Sequence, residues 1–410
     1  MGRDAVGLRP RALFRTLCVV TLCVAANAGA LRAQGSREST LKITATDVTG
    51  LPVRVGLTKS SIRITDDTLE FGRVGSGCFL GNGDAVVLST SPPKLLVLSS
   101  RPHSMLRTVG RRGDGPGEFQ QPWAVSCFDP DSVAVLEPFR ISVGSLTRPP
   151  MRSFALNASG DDRWIEPVAR VSPERFLLRR RPRAPRVEVG SYRDTVDLLI
   201  GNPAGNDTTR VVNLGRMPGG EYVRVRLKGR STTAVHPFAR ELLVGVADRR
   251  VYVMDTGTPD LEVIEDGGET IRRVRFETAG RAVTPEIRRR LEARQREAAR
   301  IPAQREITEQ LIAQTRVPTS TPRFDRMVVS RDGGAWLREF VFEGEAEANW
   351  LQLDAALRPV VRWRLPSSAR LIAASKEQVL IVQATDEGTS VAVYQLPGTA
   401  ERAGARRERR

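Results

Sequence analysis

Short apolar runs recur along the chain, each bounded by Gly, Asp, Pro or Ser. Runs of this length, rich in Val, Leu and Ile between turn residues, predict β-strands. Six core strands are expected at 84–88, 132–136, 175–178, 241–246, 334–338 and 378–382. Partner strands are expected at 94–98, 141–146, 195–200, 250–255, 349–354 and 391–396, and outer strands at 105–109, 151–156, 209–214, 271–276 and 360–365. Units of roughly 40–50 residues built from four short antiparallel strands are the sequence form of a propeller blade, because one small sheet cannot cover both its faces and must stack on neighbours. The expected fold is therefore an all-β, six-bladed β-propeller over residues 41–398. The sixth unit ends at Pro397 without an outer strand, and either 41–48 or 61–65 could supply it and close the ring.

A glycine-rich stretch, Gly110 to Phe119, follows the first outer strand, and a similar one from Asn213 to Tyr222 follows the third. Glycines permit positive φ and close backbone approach, and Phe119 or Tyr222 could plug between blades. A phosphate-cradling loop is the sharper alternative, but no Lys-Ser/Thr pair follows and no helix pattern opens there. Arg111, Arg112, Asp114 and Glu118 are the candidate ligand-binding residues of this loop. They also read as solvated charges, with Glu118 bonding local backbone.

The strand pattern stops between units four and five, at 284–315. Thr284 can cap a helix, Pro285 suits its first position and Glu286 favours its N-terminus. Ile287, Leu291, Ala298 and Ile301 are expected on one face, Arg288, Arg289, Arg296 and Arg300 on the other, with Glu292 and Arg296 four apart. After Pro302, a second helix is expected over 303–315 with Ile307 and Leu311 inward. The pair could cap the channel or form a solvated excursion.

These features resemble secreted bacterial six-bladed β-propeller proteins with NHL-like repeats. The resemblance rests on Gly110–Phe119 with Gln121-Pro122 after it, on the Ser330–Trp336 turn and strand, and on Val379–Gly388 followed by 391–396. It spans nearly all of 41–398 and implies fold and export, with no particular activity. The sequence departs from the pattern in units three and four, where Arg179–Arg186 interrupts a blade.

Residues 1–30 read as a secretory signal peptide: Arg3, Arg9, Arg11 and Arg15 precede an apolar run, Leu17 to Ala26, too short to span a bilayer. Small-x-small sites at Ala26–Ala28 and Ala28–Ala30 offer cleavage points, so a periplasmic or extracellular location is expected, with no transmembrane segment after cleavage. Export changes the meaning of the charge. The net +16 suggests an anionic partner, yet the leader holds +3 and the tail 401–410 another +3, leaving +10 on residues 31–400. Only five of the 63 basic residues are lysines, and arginines occur in nearly every segment. Nucleic acid is not expected outside the cell; an envelope or extracellular protein or glycan is. The tail 399–410 is expected to be disordered and basic, and the protein monomeric.

Removing the leader takes Cys18 and Cys23, leaving Cys78 and Cys127 at equivalent places in successive repeats. An oxidising compartment allows them to pair, although neighbouring repeats can hold them too far apart, leaving two buried thiols. Two histidines, His103 and His236, give little material for triads or transition-metal sites. No G-x-S-x-G or H-E-x-x-H occurs. The leading expectation is thus a non-enzymatic binding or scaffold module without catalytic residue, metal or cofactor. A calcium-dependent lactonase or hydrolase is the enzymatic alternative, with Asp129, Asp131, Asp248, Asp332 and Asp386 as turn carboxylates of the right chemistry. A third reading is electrostatic adhesion to anionic glycans or lipid headgroups.

Overall fold

The chain's described residues enter through three short strands, β1 (Ser39–Ile43), β2 (Val53–Val55) and β3 (Ser60–Thr65), with a five-residue helix, Ala45–Thr49, between the first two. The computed structural model describes residues 39–57, 60–65, 71–99, 107–128, 130–148, 151–156, 163–182, 189–202, 211–385 and 388–397. The chain divides into two compact units at Ser39, and the sheets belong to the second, Thr40–Arg410. The leader 1–30 and the tail 399–410 lie outside the described residues.

Among those residues, six sheets of four or five strands succeed one another in chain order. Sheet one is β4 (Arg73–Phe79), β5 (Ala85–Ser91), β6 (Pro93–Leu98) and β7 (Arg107–Val109). A small parallel pair, β8 (Arg111–Arg112) with β9 (Glu118–Phe119), leads to sheet two: β10 (Ala124–Phe128), β11 (Ser132–Glu137), β12 (Arg140–Ser145) and β13 (Arg152–Ala155). Sheet three is β14 (Arg163–Ser172), β15 (Arg175–Pro182), β16 (Gly190–Gly201), β17 (Val212–Leu227) and β18 (Arg230–Val235). Sheet four holds β19 (Leu242–Ala247), β20 (Arg250–Asp255), β21 (Asp260–Glu265) and β22 (Thr270–Phe276), and β1 on the edge of β22. Sheet five holds β23 (Phe324–Val329), β24 (Ala335–Glu339), β25 (Glu347–Leu353) and β26 (Pro359–Pro366), with β2 parallel on its edge. Sheet six is β27 (Ala369–Ala374), β28 (Gln378–Thr385) and β29 (Gly388–Gln395), completed by β3.

The first strand of each sheet touches the first strand of the next, and β27 returns to β4, so the six first strands form a closed ring. Each neighbouring pair also shares one hydrophobic cluster. Leu88 and Val135 meet between sheets one and two, Leu136 and Phe176 between two and three, and Leu198 and Val251 between three and four. Phe276 and Phe324 meet between four and five, Trp350 and Ile381 between five and six, and Leu380 and Val87 between six and one. Sheets radiating from a closed ring and packed face to face define a β-propeller. The same arrangement explains the sequence pattern: second strands such as β5 are buried on both faces and read as continuous apolar runs.

Close packing at the ring explains two glycines. A Cβ at Gly77 would meet Leu380 at 2.6 Å and Ile372 at 2.9 Å, and one at Gly245 would collide with Val329. The register also corrects the expected strand positions. In sheet four, 241–246 is the first strand and not the second, and β21 was not anticipated. Segment 41–48 is a strand followed by a helical turn on sheet four's outer edge, whereas 61–65 takes the fourth place in sheet six.

Between β22 and β23 lie two helices, Pro285–Ala298 and Pro302–Gln314. Thr284 caps the first by accepting from the Ile287 N–H at 3.4 Å, and Glu292 lies 3.8 Å from Arg296. Ile287, Leu291, Ile307 and Leu311 are half-buried, but Ala298 and Ile301 are exposed, contrary to expectation; Ala299 is buried in their place. The helix ends at Ala298, so the stripe does not continue through Ile301. The second helix packs along β17, and the Ser191 hydroxyl donates to the Gln314 carbonyl at 3.0 Å and accepts from the Arg316 N–H at 2.9 Å. No helix of the described residues is long and apolar enough to cross a membrane.

Candidate functional site

The Gly110–Phe119 loop folds on itself. Arg111 pairs with Glu118 at 2.7 Å, and the other Glu118 oxygen accepts from the Gly115 N–H at 2.9 Å. That backbone bond, then the Arg111 guanidinium, holds the Glu118 carboxyl below the usual carboxylate range. Asp114 is exposed, 4.0 Å from Arg140, and Arg112 is exposed in β8. Arg140 donates to the carbonyls of Asp114 and Glu118 and pairs with Glu137, whose carboxylate accepts from the N–H groups of Gln120 and Gln121. Phe119 is fully buried in the cluster between sheets one and two. A Cβ at Gly110, which has φ of +83°, would strike the Phe119 ring. Thus the glycines and Glu118 seat an aromatic plug. The Asn213–Tyr222 stretch differs: it runs inside β17, and Tyr222 is half-buried, stacked beside Tyr192. The long β16–β17 pairing accommodates Pro218 and the glycines at register shifts, which removes the second loop.

Cys78 in β4 and Cys127 in β10 are joined in a disulfide, with Cα atoms 5.6 Å apart. It links the first strands of sheets one and two. Of the turn aspartates, Asp131 accepts from Ser145 and Thr147, Asp332 accepts from Ser330 and the Lys376 N–H, and Asp248 adopts a positive φ of 46°. Among the described residues no three His, Cys, Asp or Glu side chains gather as a metal site. Asp129 and Asp386 lie outside the described residues.

A different group of side chains gathers at the other end of the first strands. The first strands run in parallel: Arg370, near the start of β27, donates to the Val74 carbonyl near the start of β4, and Ser330 and Ala374 form a parallel bridge at the far ends of β23 and β27. Around the mouth where these strands begin lie Glu166 on β14, Arg179 and Arg181 on β15, and Asp194 on β16. Glu241 precedes β19, Asp325 and Arg326 sit on β23, Arg338 on β24 and Arg370 on β27.

Some of these charges are matched. Arg181 lies 3.6 Å from Glu166 and 3.4 Å from Asp194, and donates to the Tyr222 hydroxyl at 3.1 Å. Burial opposes its charge, but Glu166, Tyr222 and Asp194 outweigh burial and raise its pKa. Arg338 grips Asp325 with two bonds of 2.7 and 2.9 Å. The rest are not matched. Among the described residues no carboxylate lies within ion-pairing distance of Arg179, Arg326 or Arg370. Arg179 Nε is buried with no acceptor. Burial, followed by a neighbouring guanidinium, lowers the pKa of each: Arg181 beside Arg179, Arg338 beside Arg326 and Arg73 beside Arg370. Glu241 lies within the fields of Arg179 and Arg326, yet burial dominates and raises its pKa. Glu241 and Arg326 remain accessible to water while protein atoms crowd around them.

A cleft of about 540 Å³ beside sheet five makes the contrast. There Glu339 pairs with Arg323 at 2.9 Å and accepts from Asn349 at 3.1 Å, and Arg281 lies 2.7 Å from Glu345. Its charges are internally satisfied; those of the ring mouth are not.

No protein-family model matches this chain, and no curated protein matches it. Solved structures similar to it include a putative exported protein of Bacteroides fragilis, 10% identical, covering 87% of this chain and 99% of that one with a TM-score of 0.42. A member of the DUF4221 family from Bacteroides vulgatus is 10% identical over 83% of this chain and 97% of that one, with a TM-score of 0.48. Virginiamycin B lyase from Staphylococcus aureus is 9% identical over 82% and 98%, with a TM-score of 0.35. At such identities a likeness bears on fold alone, and the closed ring of sheets defines the propeller without it.

Proposed function

We propose that this protein is an exported, six-bladed β-propeller that acts as a non-enzymatic binding module for an envelope or extracellular partner, engaged at the ring mouth. Each sheet then counts as one blade, and the two helices are an insertion between blades four and five that borders the mouth. Support for that placement comes from Ser191, which holds the end of the second helix three residues from Asp194 on the same strand. The observation that carries the binding role is the unmatched set Arg179, Arg326 and Arg370. Guanidinium groups crowded by one another without a carboxylate partner are costly, and such cost persists where a ligand completes the site. Export is supported by the basic-then-apolar leader with its small-x-small sites, and by the Cys78–Cys127 bond, which suits an oxidising compartment.

Three measurements test this reading. The mass of the protein recovered from the producing cell's envelope or medium should correspond to cleavage after Ala28 or Ala30; an intact leader would contradict export. A lactone and ester screen with and without added calcium should give no turnover, and calcium-dependent hydrolysis would replace the binding reading with an enzymatic one. The protein should elute as a monomer in size-exclusion chromatography with light scattering.

A further inference from the structure

We infer that the junction of the two inserted helices, together with the tip of the β17–β18 hairpin, is a docking surface for an anionic phospholipid layer. This surface is separate from the ring mouth and does not depend on the mouth as the binding face.

Ion pairs and hydrogen bonds bring the two segments together. The hairpin turns at Lys228 and Gly229, both at positive φ (48° and 78°), with Leu227 opposite Arg230 and Arg226 opposite Ser231. The Lys228 ammonium lies 3.4 Å from Glu306, near the start of the second helix. Ser191, opposite Val223 at the base of the hairpin, holds the other end of that helix at Gln314. The helix therefore lies along the hairpin, and its 13 residues set the tip about 20 Å from Ser191. Arg226 and every residue of 228–233 and 300–306 are exposed, so hairpin tip and helix junction form one protruding apex.

The apex is one-sided in charge. Arg226, Lys228, Arg230, Arg300 and Arg305 stand against Glu306 alone, a surplus of four positive charges. The cleft between the helices adds Arg296 with Glu292, Glu297 and Glu309, and the surplus is still two. Glu306 is taken by Lys228, and Arg305 donates to the Ala299 carbonyl at 3.2 Å. Among the described residues no carboxylate lies within ion-pairing distance of Arg226, Arg230, Arg300 or Arg305. Exposed arginines such as Arg249, Arg275 and Arg358 are instead paired, with Asp266, Asp260 and Asp354.

An apolar residue sits within this basic group. Ile301, 54% exposed between Arg300 and Pro302, is the N-cap of the second helix, a place where a polar side chain would serve both capping and solubility. Exposed arginines and an exposed isoleucine together define the partner. Guanidinium groups bind phosphate oxygens and stay at headgroup level, while an isoleucine between them enters the acyl boundary. A hydrophilic polyanion would match the arginines but leave Ile301 in water. An uncharged surface would leave the arginines without counter-charge.

Sedimentation of the mature full-length protein with phosphatidylcholine vesicles, with and without phosphatidylglycerol, tests the proposal. Binding is expected only with phosphatidylglycerol present, and should weaken as salt is raised. Arg226→Gln, Arg230→Gln and Arg300→Gln should each lower the partition coefficient by about fivefold. Ile301→Ser should lower it by about fivefold to tenfold, and Arg249→Gln should leave it unchanged. All five positions are exposed, so each variant should melt with wild type, which separates lost docking from lost folding. Absence of binding to phosphatidylglycerol vesicles would overturn the proposal, and so would equal binding by wild type and the four apex variants, which would move the contact to another basic segment. Binding of soluble dextran sulfate at the apex, undiminished in Ile301→Ser and without retention by vesicles, would also overturn it and assign the surface to a hydrophilic polyanion.

Discussion

Arginines in this chain differ in role according to what surrounds them. Arg170 is buried, donates to the Pro173 carbonyl at 2.6 Å and to Ser132 at 3.1 Å, and lies over the Phe128 ring, so it ties sheet three to sheet two. Arg179 and Arg326 have no such partners. Glu241 carries a related consequence. Its pKa is raised in the folded state, so the native protein holds that proton more tightly than the unfolded chain, and the group's contribution to stability falls as pH rises through the folded pKa. Glu241→Gln should melt at or above wild type at neutral pH and converge with it in acid; a variant less stable only at neutral pH would contradict the assignment. His236 behaves oppositely. Its ring accepts from the Phe238 N–H at 3.1 Å and donates to the Arg316 carbonyl at 3.1 Å, and burial lowers its pKa. A depressed histidine favours the native state when neutral, so that contribution is full above the ordinary value near 6.5 and is lost as pH falls below it through the lower folded pKa. His236→Ala should cost about 1–2 kcal/mol at neutral pH and flatten the acid side of the melting curve.

At the scale of elements, the loop after sheet one and the disulfide are the clearest stabilising devices. Phe119→Ala should destabilise the protein by about 3–5 kcal/mol, because the ring is fully enclosed. Arg111→Ala, an exposed pair, should cost no more than about 1 kcal/mol. Equal losses in chemical denaturation would show that the loop's weight lies in its charges. The Cys78–Cys127 bond closes a separation of 49 residues, for which chain entropy gives about 4 kcal/mol. Elements were legible in proportion to their burial. The second and third strands of most sheets stand out because both faces are covered, as in β11 and β28. First strands such as β4, with sequence Arg-Val-Gly-Ser-Gly-Cys-Phe, mix glycine, serine and charge because the ring demands close approach, and they carry no period-2 signal. Helix starts were legible from Thr284 and the two prolines, and the second helix's inner residues Ile307 and Leu311 from their spacing, but the end of the first helix's stripe was not, since the helix stops at Ala298 and the turn buries Ala299 in place of Ala298 and Ile301.

For the whole molecule, closure is the property that no local pattern contains. β3 reaches sheet six from the start of the described chain and pairs with β29 through Ile64 opposite Val391 and Ile62 opposite Val393. On the way, β1 and β2 lie along the outer edges of sheets four and five. A chain beginning at residue 66 should lose cooperative unfolding or associate through the exposed β29 edge; a cooperative monomer would show that closure is dispensable. The candidate site is a product of the same closure. Glu241, Arg326 and Arg370 fall in ordinary strand contexts, and although Arg179 opens the arginine-rich run that breaks the repeat pattern, nothing in the sequence marks the four as one group. The loop at 110–119 attracted attention for its glycines, which serve packing. Hydrogen exchange of the protein with and without a solubilised extract of the producing cell's envelope tests the ring mouth as the binding face most directly. Slowed exchange is predicted near the starts of β19, β23 and β27 and at the end of β15, with none in 110–119. Protection confined to that loop, or no protection anywhere, would contradict it.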